Sequence, residues 1–390
     1  SFFESLILTE YSFSILKLGN TGYFVIENSL QKLADLQVNY SRLIILGSIL
    51  LTLVLATGLP DIQLETDFQS SLPEDLGPIQ TQDKVESEFR SSSSIIILFQ
   101  VNDQQKEESF VSDLRDPKLI RTQKALANEL REETIVGTVQ SSASLFEEIP
   151  ESKEQVKQAV ERSGQGSQLY NRDYTATQMF ITLDEDMTEE NIREANEKIR
   201  ENLEQAPKQP GIDITVTGNP IIRTDIGDIL VEDSVTTISA ASLLILTLLT
   251  LTRGRVYGPI TFLPLFIGLI WTLGTMGIAS IPLTIATIAL GAMILGLGVE
   301  YGSFITERIL EEKEELGSVE KGVREAVPTT GLAILGSSMT TVVGFSALLI
   351  ASISFIRDLG LTLSIGIILT LTSALVLTPS FIVEYERWRR

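Results

Sequence analysis

The sequence contains no cysteine and no histidine among its 390 residues. Disulfides, thiolate chemistry, Cys/His metal sites and histidine proton relays are therefore excluded. A Gly-x-x-x-x-Gly-Lys-Ser/Thr phosphate-binding loop is also absent from the sequence, which argues against direct use of ATP by this chain. Carboxylates and hydroxyls are the side-chain groups that remain to bind or transfer a proton. We expect no enzymatic activity, no cofactor and no metal site.

Positive charge is scarce. The chain has 30 Lys and Arg against 51 Asp and Glu, a net charge of −21, although 44% of its residues are hydrophobic. The segment from Pro60 to Asp233 holds about 36 acids and 17 bases, so nearly all the negative excess lies in one polar block between apolar runs. This distribution predicts a membrane protein with a large soluble domain. The acidic excess argues against nucleic acid as a partner.

Apolar runs predict a bundle of six transmembrane helices. The first, Leu43–Leu59 within residues 41–59, is uncharged and about long enough to span a bilayer. Five more spans, within residues 234–383, follow a soluble domain at 60–233. They are roughly Val235–Thr252, Pro259–Ile278, Leu283–Thr306, Thr330–Ser352 and Leu359–Val383.

Three further segments border these spans. In residues 1–40, Phe24–Leu36 has apolar residues at helical spacing and predicts an amphipathic helix on the membrane surface. A helix that only packs against the bundle explains the same pattern. The charged stretch 307–325 predicts a solvated amphipathic helix along the inner membrane face, and residues 384–390 a cytosolic tail.

The basic residues predict the orientation. Thirteen lie outside the polar block, and an alternating path places all but Arg357 on one side of the membrane. By the positive-inside rule that side is the cytosol. We therefore expect a multi-pass protein of a prokaryotic plasma membrane, with both termini cytosolic and the acidic domain outside. The twelve residues are Lys17, Lys32, Arg42, Arg253, Arg255, Arg308, Lys313, Lys321, Arg324, Arg387, Arg389 and Arg390.

The polar block alternates between strand and helix patterns in the order β-α-β-β-α-β, which predicts a ferredoxin-like α+β domain. A polar insert, about residues 142–172, separates its halves, and we expect helices there. One face of the sheet is predicted to be covered by helices and the other to be free for a partner or substrate. The predicted elements are Ser94–Val101, Pro117–Arg131, Ile135–Gln140, Tyr174–Leu183, Glu189–Glu204 and Ile212–Thr217.

The stretch from Leu295 to Glu307 is the candidate functional site. It holds one acid, Glu300, inside an apolar run, and a carboxylate at membrane depth usually faces a bundle interior or a water path. If the span begins at Leu283, Glu300 lies about 25 Å along it at 1.5 Å per residue, where a Glu could also simply reach water. Tyr301 is either a partner of Glu300 or an interfacial tyrosine.

Small and hydroxylated residues surround this acid in the predicted bundle. Glycine on a membrane helix lets a neighbouring helix approach closely, and Ser and Thr either hydrogen-bond between helices or line a water path. The predicted packing glycines are Gly296, Gly298 and Gly302. The candidate polar cluster on the fifth span is Ser337, Ser338, Thr340 and Thr341.

Several motifs resemble the RND superfamily, close to its MMPL and hopanoid-exporter-like branch. The segment 64–75 (Leu-Glu-Thr-Asp-Phe-Gln-Ser-Ser-Leu-Pro-Glu-Asp) is similar to the start of that family's porter domain. Gly296–Gly302 (Gly-Leu-Gly-Val-Glu-Tyr-Gly) resembles its fourth-span motif. Thr340–Phe345 (Thr-Thr-Val-Val-Gly-Phe) and Ile356–Gly360 (Ile-Arg-Asp-Leu-Gly) resemble parts of its fifth and sixth spans.

The resemblance implies a proton-driven transporter that moves lipid or other hydrophobic molecules from the membrane through the porter domain. The family usually has Asp-Tyr where this chain has Glu300 and Tyr301, so the carboxylate reaches one methylene further. It also usually carries two six-span repeats, whereas this chain has one. We expect a homodimer; half of a longer protein is the alternative.

Two other functions share parts of this plan. A SecD/SecF-like protein-export accessory also combines six spans with one ferredoxin-like outer domain. A lipid sensor of the sterol-sensing type would have the membrane helices without transport.

Overall fold

The computed structural model describes residues 2–66, 72, 94–102, 113–132, 136–164, 166–183, 189–206 and 209–390, without the side chains of 2–23 and 189–190. Most of the motif at 64–75 lies outside these residues. The contacts divide the chain into two compact units, residues 1–73 with 230–390, and residues 74–229. The first unit is mainly helical, and the second contains a four-stranded sheet.

The described helices and strands follow one another along the chain, joined in places by short 3-10 turns. In order they are α1 (Phe2–Ala56), β1 (Leu64–Glu65), β2 (Ser94–Val101), α2 (Pro117–Glu132), β3 (Val136–Gln140), α3 (Lys153–Arg162), α4 (Gly166–Leu169), β4 (Ala176–Leu183), α5 (Glu189–Gln205), β5 (Ile212–Thr217), α6 (Asn219–Ile278), β6 (Leu283–Thr284), α7 (Leu290–Leu316), α8 (Val319–Ser346) and α9 (Ser354–Arg389).

Five of the described helices, α1, α6, α7, α8 and α9, are long and apolar enough to cross a membrane. The sequence therefore correctly predicted a multi-pass membrane protein. Helix α6 is interrupted at Gly254, where φ is 86° and ψ is 168°. The chain folds back at this residue, as the close approach of two residues eight positions apart shows: a Cβ atom on Gly258 would lie only 2.6 Å from the Cα of Thr250. That the chain crosses the membrane six times stays a prediction.

Two predictions for the fourth span and the segment after it were wrong. The helix begins at Leu290 and not at Leu283, because Leu283 and Thr284 pair in parallel with Leu64 and Glu65 as a short ladder. Residues 307–325 do not form one separate helix. Gly317, with φ of 71°, ends α7, and the Ser318 side chain accepts a hydrogen bond from the Lys321 backbone to cap α8.

The segment Phe24–Leu36 is part of α1 and packs against the bundle. Leu30 and Ala34 are buried in the hydrophobic core of the helical unit, whereas Phe24 is 68% exposed. One turn further on, the Gln37 side chain donates hydrogen bonds to backbone carbonyls of α9. These contacts favour the packing-helix alternative, and a position on the membrane surface stays a prediction.

Close approach of backbones holds α6, α7 and α9 together. Thr370 of α9 is fully buried, and a Cβ atom on Gly268 or Gly298 would lie 2.6 Å from its Cα or its methyl group, respectively. One turn along, Ser373 donates a hydrogen bond to the carbonyl of Pro264. Such packing stabilises membrane helices by dispersion contacts, since lipid chains supply no hydrophobic drive between them.

The second unit is a sheet in the order β3-β4-β2-β5, in which all neighbouring strands are antiparallel. Alternation buries Ile95, Ile97 and Phe99 of β2 together with Met179 and Ile181 of β4. One face of α2 joins the same hydrophobic core, so helices cover this side of the sheet. All six strands and helices predicted in this block are present, with ends that agree to within two residues.

The Gly254→Ala substitution isolates the backbone requirement at the break in α6. The φ and ψ values at this position are accessible essentially only to glycine, and no atom within 4 Å would meet the added methyl group. We expect the free energy of unfolding to fall by about 1–3 kcal/mol, measured by denaturing-detergent titration and circular dichroism. Gly47→Ala, also in open space but within α1, is the control and should cause no loss. Equal values for both variants would contradict this account.

Candidate functional site

Glu300 lies on an exposed stripe of α7. It is ten residues from the start of the helix, about 15 Å at 1.5 Å per residue, and its side chain is exposed on the isolated chain. Met293 and Phe304, on either side of it in the sequence, are 38% and 48% exposed. Glu300 makes no hydrogen bond or ion pair within the described part of the chain. The late start of α7 therefore moves this acid away from the helix end that the sequence suggested.

Three neighbours of Glu300 in the sequence, Gly298, Tyr301 and Gly302, are buried in the bundle, away from this exposed stripe. Tyr301 is only 3% exposed and belongs to the hydrophobic core of the bundle. Cβ atoms on Gly298 and Gly302 would lie 2.6 and 3.0 Å from methyl groups of buried threonines on α9 and α6, whereas Gly296 faces open space. Close packing thus surrounds two of the three predicted glycines.

The four predicted hydroxyls of α8 donate hydrogen bonds to carbonyls of their own helix. Ser338 is fully buried, whereas Ser337 and Thr340 are exposed and Thr341 is half-buried. None of them contacts Glu300 by a hydrogen bond in the described structure. A role for Ser337, Ser338, Thr340 and Thr341 in proton movement stays a prediction.

One end of the bundle is tied together by ion pairs between helices, and we call it the basic end. Each pair has a nitrogen–oxygen distance of 2.7–3.1 Å: Arg42–Glu384 (α1–α9), Asp35–Arg324 (α1–α8), Arg253–Glu307 (α6–α7), Lys313–Glu386 (α7–α9) and Glu320–Arg390 (α8–α9). Most of these side chains are partly exposed, so single pairs contribute about 0–1 kcal/mol. Glu386 differs because only 8% of its side chain is exposed.

The sheet unit has a separate charged cluster beside a cavity of about 470 Å³. Arg115 forms an ion pair with Asp113 at 2.9 Å and lies over the ring of Tyr174, 3.4 Å from its centre. Burial alone would raise the pKa of Asp113, but hydrogen bonds from Arg115 and Lys157 outweigh it and lower the pKa to about 2. Tyr174, at the cavity wall, has a left-handed φ of 54°.

Comparison with protein families decides the identity of the chain. The profile of the MMPL family matches residues 75–390, which include the sheet unit and helices α6 to α9. The chain belongs to the MMPL family. MMPL proteins are membrane transporters of the RND superfamily, so the resemblance found in the sequence motifs is confirmed.

Three relatives of this MMPL chain show how the similarity is distributed. The membrane protein MJ1562 of Methanocaldococcus jannaschii is 28% identical over 367 residues, which are 92% of this chain and 94% of that protein. A Mycobacterium leprae protein named as transport protein MmpL4 is 25% identical over 50% of this chain but only 21% of its own length. The protein translocase subunit SecD of Rickettsia felis is 27% identical over 33% of this chain and 29% of its own length.

Sequence reasoning missed two groups in this MMPL chain. The contact between Lys313 and Glu386 joins residues 73 positions apart, and periodicity contains no information on such pairs. The Asp113–Arg115 cluster was also missed, because acids and bases are frequent throughout the polar block. An aromatic residue near a basic one, such as Tyr174 near Arg172, is too common a pattern to reveal it.

The Asp113→Asn substitution tests this cluster. The folded state holds the pKa of Asp113 at about 2 against an ordinary value of 3.8, so the stabilisation is present above pH 4 and is lost as the pH falls through 2. We expect the variant to lose about 2 kcal/mol at pH 7 and to approach the parent near pH 2, measured by thermal unfolding of the full protein. Asp173→Asn, an exposed acid of the same unit, should have no effect. A loss that persists unchanged at pH 2 would contradict the ion-pair origin.

Proposed function

We propose that the chain is a transporter driven by the proton-motive force, which moves lipid or other hydrophobic molecules from the membrane through its sheet unit. Glu300 is the coupling carboxylate. The observation that carries the proposal is that Glu300 is the only Asp, Glu, Lys or Arg in the six predicted spans and has no ion-pair partner in the described structure. Such a residue is expensive in hydrocarbon and is therefore a functional site by default.

The protonation state of Glu300 provides the coupling. In an apolar environment the neutral acid costs less than the carboxylate, so entry of a proton from outside and its release inside change the preferred surroundings of this side chain. The two charge states would bias two packings of α7 against its neighbours, which is a population shift between conformations. Tyr301 supports this step from the core side of α7.

A homodimer gives Glu300 a protein environment. On the isolated chain this side chain is exposed together with Phe304, and both would contact lipid. A second copy related by a two-fold axis would cover the stripe with the same stripe. Gly296 of α7 and Gly336 and Gly344 of α8 face open space, and small residues of this kind favour close helix contacts. Two copies would also supply the two repeats that the family usually carries in one chain.

The sheet unit is the proposed porter domain. Its order β3-β4-β2-β5 places the second, third, first and fourth strands of the unit side by side, with α2 and α5 in the two crossover connections. This connectivity supports a ferredoxin-like fold. The break at Gly254 divides α6 into two helical segments, which supports six spans.

The contacts at the basic end support a cytosolic location for it. Arg42, Arg253, Lys313, Arg324 and Arg390, which the sequence predicts on one side of the membrane, all pair with acids at this end. The positive-inside rule places such an end in the cytosol. The porter domain is then outside the plasma membrane.

A role in protein export is the second candidate, and the similarity to SecD over a third of the chain favours it. Export would also use Glu300 if driven by protons. Hydrophobic-substrate transport is preferred because the match to the MMPL family covers residues 75–390.

Glu300→Gln tests the coupling role directly. The amide keeps the size of the side chain but cannot be ionised, so substrate movement driven by a pH gradient in proteoliposomes should fall to background, while Glu300→Asp retains part of it. Glu314→Gln, an exposed acid near the end of the same helix, is the control and should retain full transport. Full gradient-driven transport by Glu300→Gln would exclude this acid as the coupling group.

The proposed dimer can be tested by cross-linking, because the chain contains no native cysteine. Gly296→Cys should give a cross-linked dimer with a short thiol-reactive cross-linker in native membranes, since two-fold symmetry brings the same position of both copies together. Leu53→Cys, at a 64% exposed position of α1, is the control away from the stripe. Cross-linking at Leu53→Cys and none at Gly296→Cys would place the contact on another face.

A further inference from the structure

The basic end of the bundle contains a buried contact among three helices, the Glu386 triad of Tyr257, Lys313 and Glu386. One carboxylate oxygen of Glu386 accepts a hydrogen bond from the Tyr257 hydroxyl of α6. The other lies 2.9 Å from the Lys313 ammonium of α7, which also lies 3.4 Å from the Tyr257 hydroxyl. Tyr385, next to Glu386, meets the Tyr257 ring edge-on with centroids 5.9 Å apart. A single carboxylate of α9 thus joins α6 and α7.

Burial separates this triad from the other ion pairs between helices at the basic end; the equally buried Glu312 pairs with Arg308 of its own helix. The acids that pair with Arg42, Arg253, Arg324 and Arg390 have side chains that are 21–50% exposed, against 8% for Glu386. Exposed pairs contribute little and tolerate changes in geometry. A buried pair is strongly destabilising when one partner is removed, and its best-attested use is to select one register of packing. The Glu386 triad is therefore the ion-pair contact of this end best suited to fix how α7 lies against α6 and α9.

The same helix connects the triad with the proposed coupling acid. Lys313 follows Glu300 by 13 residues on α7, which is about 20 Å along a continuous helix at 1.5 Å per residue. No break interrupts α7 between them. Close packing at Gly322, where a Cβ atom would lie 3.0 Å from the Lys313 backbone nitrogen, leaves α7 little room to shift at this end. A helix fixed at Lys313 has a defined rotation and height at Glu300.

We propose that Glu386 is a positioning residue for proton-coupled transport: through Tyr257 and Lys313 it fixes the end of α7 and thereby the placement of Glu300. This inference rests on the proposed function of Glu300. It assigns a role in coupling to a residue that contacts Tyr257 and Lys313 and not Glu300 itself. A misplacement of about 1 Å at a reacting group reduces rates by up to about 100-fold, so loss of the triad should lower the transport rate about 10- to 100-fold.

The structural part is tested by spin labels, without any transport assay. The cysteine-free chain accepts labels at Leu316→Cys and Trp388→Cys, which are 42% and 84% exposed at the ends of α7 and α9. With labelled chains diluted among unlabelled ones, we expect one narrow distance distribution. Lys313→Glu and Glu386→Lys should each broaden or shift it, and the double exchange should restore it. Arg390→Glu, which breaks the exposed pair with Glu320, should leave it unchanged.

The functional part uses the same variants in proteoliposomes. Each single exchange should lower the maximal transport rate with little change in KM, and the double exchange should recover it. Unchanged distances in both single variants would overturn the proposal. So would a double exchange that restores the distances but not the transport rate. If the exchange variants do not fold, a cycle of Lys313→Gln and Glu386→Gln replaces them, and additive changes in Tm would equally overturn it. Failure of the parent protein to transport would instead refute the proposed function. The distance measurements do not depend on transport activity, so the two failures can be told apart.

Discussion

The cost of placing charge in hydrocarbon organises this protein more than any other single constraint. Ions at membrane depth need partners or a path to water, so the acids and bases are concentrated in the sheet unit and at one end of the bundle. At that end, ion pairs connect α1, α6, α7, α8 and α9 to one another. Between the ends, the helices are held together by close contacts between glycine and threonine, such as Gly298 with Thr370. Glu300 is the exception, which is why it is the candidate site.

Patterns that depend on one local segment were predicted well. The alternation in Ser94–Val101 and the helical spacing in Pro117–Arg131 each describe a face toward a core, and both elements are present almost as predicted. Helix ends were predicted less well. The run from Leu283 is apolar throughout, so composition could not reveal that Leu283 and Thr284 pair with Leu64 and Glu65 instead of starting a helix. A strand partner more than two hundred residues away leaves no periodic signal.

At the candidate site, too, the features of one local segment could be predicted from the sequence and those decided by packing could not. Glu300 was found because an acid in an apolar run is visible in the sequence alone. Its outward direction was not, since two adjacent residues on a helix differ by about 100° and only packing decides which one is buried. In the structure Tyr301 takes the core position. The Glu386 triad could not be predicted, because it joins three helices at positions that look like ordinary charged flanks of a span.

The exposed Glu300 and the buried Glu386 present one physical problem with two solutions. At Glu386 the fold supplies a cation and a hydroxyl within one chain, so the charge is compensated and the helices are held in one arrangement. At Glu300 the described part of the chain supplies no compensating charge, and a membrane environment makes an uncompensated charge expensive. A switch needs a group whose charge can change, and its support needs a group whose charge is fixed. In the proposed mechanism, α7 carries the first at Glu300 and is held through Lys313 by the second, so that one helix connects proton binding to a stable framework.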